Sequence, residues 1–174
     1  AAQTGFQVWR GVSAWDRADI LRKAMRLIGE RADAIAGLLT REQGKPLAES
    51  RGELERCIEV FDWCSAETVR SYGRTYPQRV SGGRRMTLKE PVGPVAAFTP
   101  WNFPVFLSCR KLAAALGAGC SIILNPADEA PSAVAAIIQV LHEAGVPAGA
   151  VAQLTGNPAQ LSRMQVESPI IAKV

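Results

Sequence analysis

The chain has 174 residues, of which 48% are hydrophobic and 21% are charged, and its formal net charge is +4. These values are typical of a folded globular protein and exclude an intrinsically disordered chain. No run approaches the roughly 18 apolar residues that a membrane-spanning helix needs, so we expect no membrane partner.

The cysteines argue against a metal site. Cys57, Cys64, Cys109 and Cys120 lie in apolar or helical settings and none belongs to a CxxC pair. Because the chain also has a single histidine, no zinc-ligand pattern is present. Reduced, buried thiols are typical of cytoplasmic proteins, and we expect that location.

The first part of the chain, residues 1–73, is predicted to form a helical segment. From Ser13, with Asp16 as a capping partner, apolar residues recur at helical spacing, at Ile20, Leu21, Ala24, Leu27 and Ile28. A second helix is predicted from about residue 31 to 43, where Gly44 ends it. A third helix carries an apolar face made of Leu47, Leu54, Cys57, Ile58 and Phe61.

Residues 74–91 are predicted to form a β-hairpin that turns at Gly82-Gly83. The stretch from Arg70 to Lys89 is the most basic part of the chain, with Arg70, Arg74, Arg79, Arg84, Arg85 and Lys89. A solvated or subunit-facing β arm and a nucleic-acid surface are both open interpretations. Only Tyr72 and Tyr76 interleave with the arginines, so we favour the arm and expect no nucleic-acid partner.

From residue 92 the pattern changes to alternating strands and helices. The predicted strands cover residues 95–98, 121–124, 151–154 and 170–174, and the predicted helices cover residues 104–116, 131–144 and 158–166. This alternation indicates a parallel sheet with helices on its faces, in which ligands bind beyond the carboxyl ends of the strands. No GxGxxG or GxxxxGK[ST] motif occurs. A buried central strand is also a poor chain terminus, so we expect that only part of a longer protein is in view.

The stretch "TPWNFP", which follows the first of these strands, contains an unexpected polar residue. Asn102 lies between two aromatic residues and two prolines, where a buried strand runs into a helix. Its amide is expected either to cap the helix that begins at Phe103 and Pro104 or to hold a ligand.

Long segments of the chain resemble the aldehyde dehydrogenase superfamily. They are "EPVGPVAAFTPWNFP", "RKLAAALGAGCSIILNPADEAP" and "HEAGVPAGAVAQLTG", and "REQGKPLAE" resembles the N-terminal helices of that family. Within it, "EQGKPL" and "CRKLAAALGAGC" are most similar to succinate-semialdehyde dehydrogenases. The resemblance implies an α/β fold in which N-terminal helices and a β arm, the start of an oligomerisation arm, precede the first half of a Rossmann-like parallel sheet.

The resemblance also implies roles for the residues of "TPWNFP". Asn102 matches the asparagine whose side-chain amide, together with a backbone N–H, forms the oxyanion hole of the family. Thr99, Pro100 and Trp101 match the segment that lines the nicotinamide-ribose end of the cofactor cleft, although Trp101 is equally interpretable as a packing residue.

Two further sites are implied by the resemblance. "NPAD" matches a Lys-Pro-(Ser/Ala)-Glu motif whose lysine and glutamate bind the adenosine ribose, so Asn125, Ala127 and Asp128 are cofactor candidates. Asn125 replaces the lysine of that motif and Asp128 shortens the acid, which favours NAD over NADP or weakens cofactor binding. Arg110 matches an arginine that binds the distal carboxylate of succinate semialdehyde.

The implied function is part of an NAD(P)-dependent aldehyde dehydrogenase, acting on an aldehyde substrate and forming a homodimer or homotetramer at full length. The catalytic cysteine and glutamate of the family are expected outside residues 1–174, so no cysteine in view is a candidate nucleophile. The alternative is a catalytically inactive remnant that serves at most as an interaction module.

Overall fold

The computed structural model describes residues 1–174 as seven α-helices and five short β-strands. In chain order they are α1 (Ala2–Arg10), α2 (Ala14–Glu30), α3 (Ala32–Gln43), α4 (Leu47–Thr68), β1 (Arg74–Tyr76), β2 (Arg85–Thr87), β3 (Val95–Phe98), α5 (Pro104–Gly117), β4 (Ile122–Asn125), α6 (Pro131–Ala144), β5 (Val151–Gln153) and α7 (Pro158–Val166). None of these helices is long and apolar enough to cross a membrane.

Helix α2 begins, and helix α3 ends, where local chemistry predicts. The Ser13 hydroxyl accepts a hydrogen bond from the backbone N–H of Asp16 at 3.1 Å and so caps α2. At the end of α3, Gly44 adopts the left-handed conformation with φ 85°, which a residue without a Cβ reaches at no steric cost. This turn reverses the chain into α4.

Helix α1 lies within the predicted helical segment, but no sequence pattern before Ser13 indicated it as a separate helix. Its buried face consists of Gly5, Phe6 and Trp9, and the indole N–H of Trp9 donates to the carbonyl oxygen of Leu116 at 2.9 Å. A nine-residue helix is marginal in isolation, so tertiary docking stabilises α1 more than its own propensity does. The docking site lies more than 100 residues away in the chain, where a local pattern gives no signal.

The parallel sheet has the strand order β3-β4-β5, with Val95 opposite Ile122 and Ile122 opposite Val151. All three strands run in the same direction, as predicted. The final strand predicted at residues 170–174 is wrong in extent, because only Lys173 bridges to Val95, on the free side of β3. Ile170 lies in a turn and is 50% exposed, so this segment does not form a buried strand here.

A common hydrophobic core joins the N-terminal helices to the sheet. It contains 29 buried residues, and fully buried members come from α2 (Leu21), α4 (Phe61), α5 (Leu112), β4 (Leu124) and α6 (Leu141). The core therefore crosses the predicted segment boundaries at residues 73 and 92.

The predicted hairpin forms, but it lies outside the core. Strands β1 and β2 pair antiparallel, with Arg74 opposite Thr87, and every residue of both strands is exposed. Gly82 occupies the turn with φ 83°. The hairpin thus presents both of its faces to solvent in this chain.

Candidate functional site

Two loops meet at the carboxyl edge of the sheet. Because β3 and β4 are parallel and Phe98 lies opposite Asn125, both strands end at the same level. The backbone N–H of Thr99 donates to the carbonyl oxygen of Asn125 at 3.1 Å and extends the pairing by one residue. The loops that follow, residues 99–103 and 126–130, are therefore neighbours.

A cavity of about 260 Å³ opens beside these loops. It is lined by Phe98, Thr99, Asn125, Pro126, Ala127, Asp128, Glu129, Leu154, Gly156, Pro158 and Leu161. Four of the predicted cofactor residues, Thr99, Asn125, Ala127 and Asp128, are thus brought together. Pro100 and Trp101 do not line it, and the Trp101 side chain is 58% exposed.

The carboxylates of Asp128 and Glu129 supply the only formal charges in the cavity wall. Both residues are exposed, and no lysine or arginine lines the cavity with them. Such a wall can accept hydrogen bonds from neutral hydroxyl groups, whereas a phosphate placed beside it meets charge of its own sign.

Asn125 is held by a partner that the sequence did not reveal. Its side-chain amide exchanges two hydrogen bonds, each 2.8 Å, with the side-chain amide of Gln165 in α7. It also donates to the carbonyl oxygen of Ala97 at 3.3 Å. Both N–H groups of Asn125 are therefore used within the protein, and one acceptor lone pair remains for any ligand.

The Asn102 side chain does not cap α5. The N-cap position belongs to Phe103, which has no capping side chain, and the two hydrogen bonds at Asn102 use its backbone carbonyl. Asn102 is exposed. The structure thus removes the capping alternative and leaves the carboxamide free at the carboxyl edge of β3.

Helix α5 is capped instead by Glu53 of α4, and α6 is capped in the same way by Glu42 of α3. The Glu53 carboxylate accepts from the backbone N–H groups of Val105 and Phe106 at 2.8 and 3.0 Å. The Glu42 carboxylate accepts from those of Ser132 and Ala133 at 2.8 and 2.9 Å. Helix N-termini are ordinary phosphate sites, and here protein carboxylates fill both.

Three side chains that no sequence pattern had indicated surround the Asn102 loop, those of Gln43, Lys45 and Glu53. Gln43 Nε2 donates to the carbonyl oxygens of Trp101 and Asn102, and Lys45 Nζ donates to that of Asn102. The segment "EQGKPL" contains two of the three, but only the resemblance drew attention to it. A charged residue directly after a helix-ending glycine was the available signal.

Arg110 lies on α5, away from the 260 Å³ cavity. Its guanidinium carbon is 5.7 Å from the centroid of the Phe106 ring, and no carboxylate is within ion-pairing distance of it. It borders a separate, largely apolar groove of about 550 Å³ together with Lys111 and Lys173. Three cationic side chains and one carboxylate, that of Glu90, therefore border this groove.

The four cysteines lie in environments that disfavour reaction of their thiols. Cys57, Cys109 and Cys120 are buried, Cys64 is half-buried, and all four are free. Burial raises the pKa of the Cys57 thiol well above its ordinary value, and a hydrogen bond with Cys109 adds to the effect. Burial also raises the pKa of Cys64. A raised thiol pKa disfavours the nucleophilic thiolate.

Comparisons with known proteins agree with this arrangement. The profile of the Aldehyde dehydrogenase family matches residues 1–174. The 4-(hydroxymethyl)benzenesulfonate dehydrogenase TsaD1 of Comamonas testosteroni is 45% identical over 99% of the chain and 36% of that relative. The NADP(+) succinate-semialdehyde dehydrogenase GabD of Escherichia coli K12 is 38% identical over 100% of the chain and 36% of that relative.

The fold is similar as well. An aldehyde dehydrogenase structure from Brucella melitensis biovar abortus 2308 superposes with a TM-score of 0.96 at 39% identity, covering 98% of this chain and 35% of that one. This similarity confirms the predicted fold class of helices, β arm and partial Rossmann-like sheet. The chain spans about a third of the length of the relatives it matches. It belongs to the aldehyde dehydrogenase family.

Proposed function

We propose that this chain forms the oxyanion-binding and part of the cofactor-binding region of an NAD(P)-dependent aldehyde dehydrogenase. One observation carries the proposal: the Asn102 carboxamide is free at the carboxyl edge of β3, while its own backbone carbonyl is held by Gln43 and Lys45. The catalytic cysteine and glutamate lie outside residues 1–174.

The role of Asn102 follows from where charge develops. A cysteine thiolate forms a bond to the aldehyde carbon, and the carbonyl electron pair moves onto oxygen. The Asn102 amide donates a hydrogen bond to that oxygen. A bound nicotinamide cofactor would supply the acceptor for the hydride that this carbon must lose, and water would cleave the resulting thioester to the carboxylic acid and the free cysteine thiol. A fixed donor aimed at such an oxygen typically contributes a factor of about 10²–10³ in rate.

The cavity beside Asp128 fits the adenosine ribose of NAD better than that of NADP. Asp128 and Glu129 can accept hydrogen bonds from vicinal ribose hydroxyls, whereas a 2′-phosphate would meet two carboxylates and no cation. The cofactor pyrophosphate has no place at α5 or α6, since Glu53 and Glu42 fill those helix N-termini. We therefore propose NAD as the preferred cosubstrate.

The substrate we propose is an aldehyde with a distal anionic group, with succinate semialdehyde as the first candidate. Arg110 has no carboxylate partner in the chain, and a guanidinium group can bind a carboxylate at two points. The names of two relatives support this class, because one specifies a sulfonate and the other succinate semialdehyde.

The partner we propose for the hairpin is a second copy of the full-length protein, in a homodimer or homotetramer. In the hairpin, Val80, Met86 and Leu88 are 73%, 56% and 76% exposed, and Tyr72, just before it, is 71% exposed. Large apolar side chains on an unpaired hairpin are typical of an interface rather than of a solvated arm.

The proposed function is tested by Asn102→Ala in the full-length protein. We expect kcat to fall about 10²–10³-fold, because the oxyanion loses its side-chain donor, while the dissociation constant for NAD changes less than about threefold. Gln7→Ala, which removes an exposed carboxamide on α1, is the matched control and retains normal kcat. Unchanged turnover in Asn102→Ala refutes the oxyanion role.

The same steady-state assays test the cosubstrate. We expect kcat/KM to be higher with NAD than with NADP, because the carboxylates of Asp128 and Glu129 repel a 2′-phosphate. A preference for NADP in the unmodified protein contradicts the assignment of this cavity to the ribose.

A further inference from the structure

Glu53 joins the N-terminal helices to the loop that carries Asn102. It projects from α4, is 2% exposed, and accepts from the backbone N–H groups of Val105 and Phe106 with its Oε1 atom. These two donors belong to the first turn of α5, directly after the loop. Since Phe103 cannot cap the helix, Glu53 fixes where α5 begins.

Lys45 connects Glu53 to Asn102 itself. Its Nζ atom lies 2.5 Å from Glu53 Oε2 and donates to the carbonyl oxygen of Asn102 at 3.1 Å. It also lies 4.7 Å from the centroid of the Phe103 ring, a cation–π distance. The Lys45 side chain is 8% exposed, and that of Glu53 is not exposed. The ion pair is therefore shielded from solvent.

Gln43 completes the restraint on the loop. Its Nε2 atom donates to the carbonyl oxygens of Trp101 and Asn102 at 3.1 and 3.2 Å. The backbone on both sides of Asn102 is thus held by side chains from the α3–α4 junction and from α4. The carboxamide of Asn102 is the part of that residue that these contacts leave free.

We propose that Lys45 and Glu53 are positioning residues, which set the direction of the Asn102 amide through the backbone of its loop. This inference rests on the proposed function, because it gives the pair a role in the oxyanion step. A buried ion pair is weak evidence for stability, since apolar residues of similar size often replace one without loss. Instead, Lys45 and Glu53 both contact the backbone around the Asn102 side chain. If the Asn102 amide moved by about 1 Å, the rate could fall by a factor of about 10².

A double-mutant cycle in the full-length protein tests the proposal. Lys45→Met removes the charge and both hydrogen bonds while keeping an unbranched side chain. In the unmodified background we expect kcat to fall about 10–100-fold, with the KM for NAD changed less than about threefold. In the Asn102→Ala background we expect Lys45→Met to lower kcat less than about twofold, because the amide it positions is gone.

The control is Lys23→Met, which removes an exposed lysine of α2 and leaves kcat unchanged. If Lys45→Met does not fold, Gln43→Leu is used in the same cycle, since it removes two loop contacts without exposing a buried charge. Equal losses from the Lys45 variant in both backgrounds, or a normal kcat in Lys45→Met, overturn the positioning role alone. A normal kcat in Asn102→Ala instead overturns the proposed function, and the inference with it.

Discussion

At the scale of single residues, two asparagines near the ends of neighbouring strands make opposite kinds of contact. Asn102, after β3, contacts the protein through its backbone and keeps its carboxamide free. Asn125, at the end of β4, exchanges two hydrogen bonds with Gln165 and is buried. Both lie at the carboxyl edge of a parallel sheet, so position alone does not distinguish an amide that stays free from one that is hydrogen-bonded within the protein. The partner 40 residues away makes the difference.

Arg110 leads to a prediction about substrate choice. In the full-length protein, Arg110→Ala should lower kcat/KM for succinate semialdehyde about 10–100-fold, because the substrate carboxylate loses a charged, two-point partner. The loss for butanal, a neutral aldehyde of equal carbon number, should be less than about threefold. Steady-state kinetics on both aldehydes measure the difference.

The matched control for this experiment is Lys111→Ala, which removes the neighbouring exposed cation from the same groove. Similar losses on both aldehydes in Arg110→Ala would show that the arginine acts on the fold of α5 rather than on the carboxylate.

At the scale of elements, α5 and α6 each begin without a local capping side chain, and each is capped from a distant helix. Glu53 and Glu42 supply these caps, which also fix the loops after β3 and β4 relative to the N-terminal helices. Glycine-rich turns let a phosphate approach the N-terminus of a helix. Their absence is consistent with these caps, because carboxylates already occupy the N-termini of α5 and α6.

The hairpin made of β1 and β2 supports a prediction about assembly. The double change Met86→Glu and Leu88→Glu in the full-length protein should shift an oligomer toward smaller species, because two charges would be buried in the apolar contact. Size-exclusion chromatography with light scattering measures the mass. Val8→Glu, on the exposed face of α1, is the control. An oligomer mass unaffected by the double change would exclude the hairpin as the interface.

At the scale of the whole molecule, α1 connects the N-terminus to the sheet by packing against the segment that precedes β5. A Cβ atom added at Gly5 would lie 2.0 Å from the carbonyl carbon of Gly149 and 2.4 Å from the backbone nitrogen of Ala150. Neither backbone atom can move aside as a flexible side chain could. Only glycine permits this approach.

Gly5→Ala should therefore release α1 from the body of the protein. We expect tryptic cleavage after Arg10 to become about tenfold faster or more, a local destabilisation of at least about 1.4 kcal/mol. Limited proteolysis followed by mass spectrometry measures the rate. Thr4→Ala, one residue away on the exposed side of α1, should cleave at the original rate. The same slow cleavage in Gly5→Ala would mean that the helix docks without this contact.

Elements with strong internal patterns were predictable. Helix α2 has a capping serine and a regular apolar face, β3 is a short apolar run, and α6 begins at a proline and ends at a glycine. The site was predictable to the level of the sheet edge, since parallel strands followed by polar loops place Asn102 and Asp128 there. Helix α1 and the extent of the last strand were not, because distant contacts determine them.

By itself, the sequence determined the order of elements, the direction of the strands, the family and the edge of the sheet where chemistry is expected. These properties follow from periodicity, turn residues and contiguous motifs, which act over a few residues. Only the tertiary structure decided that Glu53 caps α5, that Gln165 engages Asn125 and that the amide of Asn102 stays free. The reason is that each of these outcomes depends on hydrogen bonds that side chains make with groups 40 to 59 residues away in the chain.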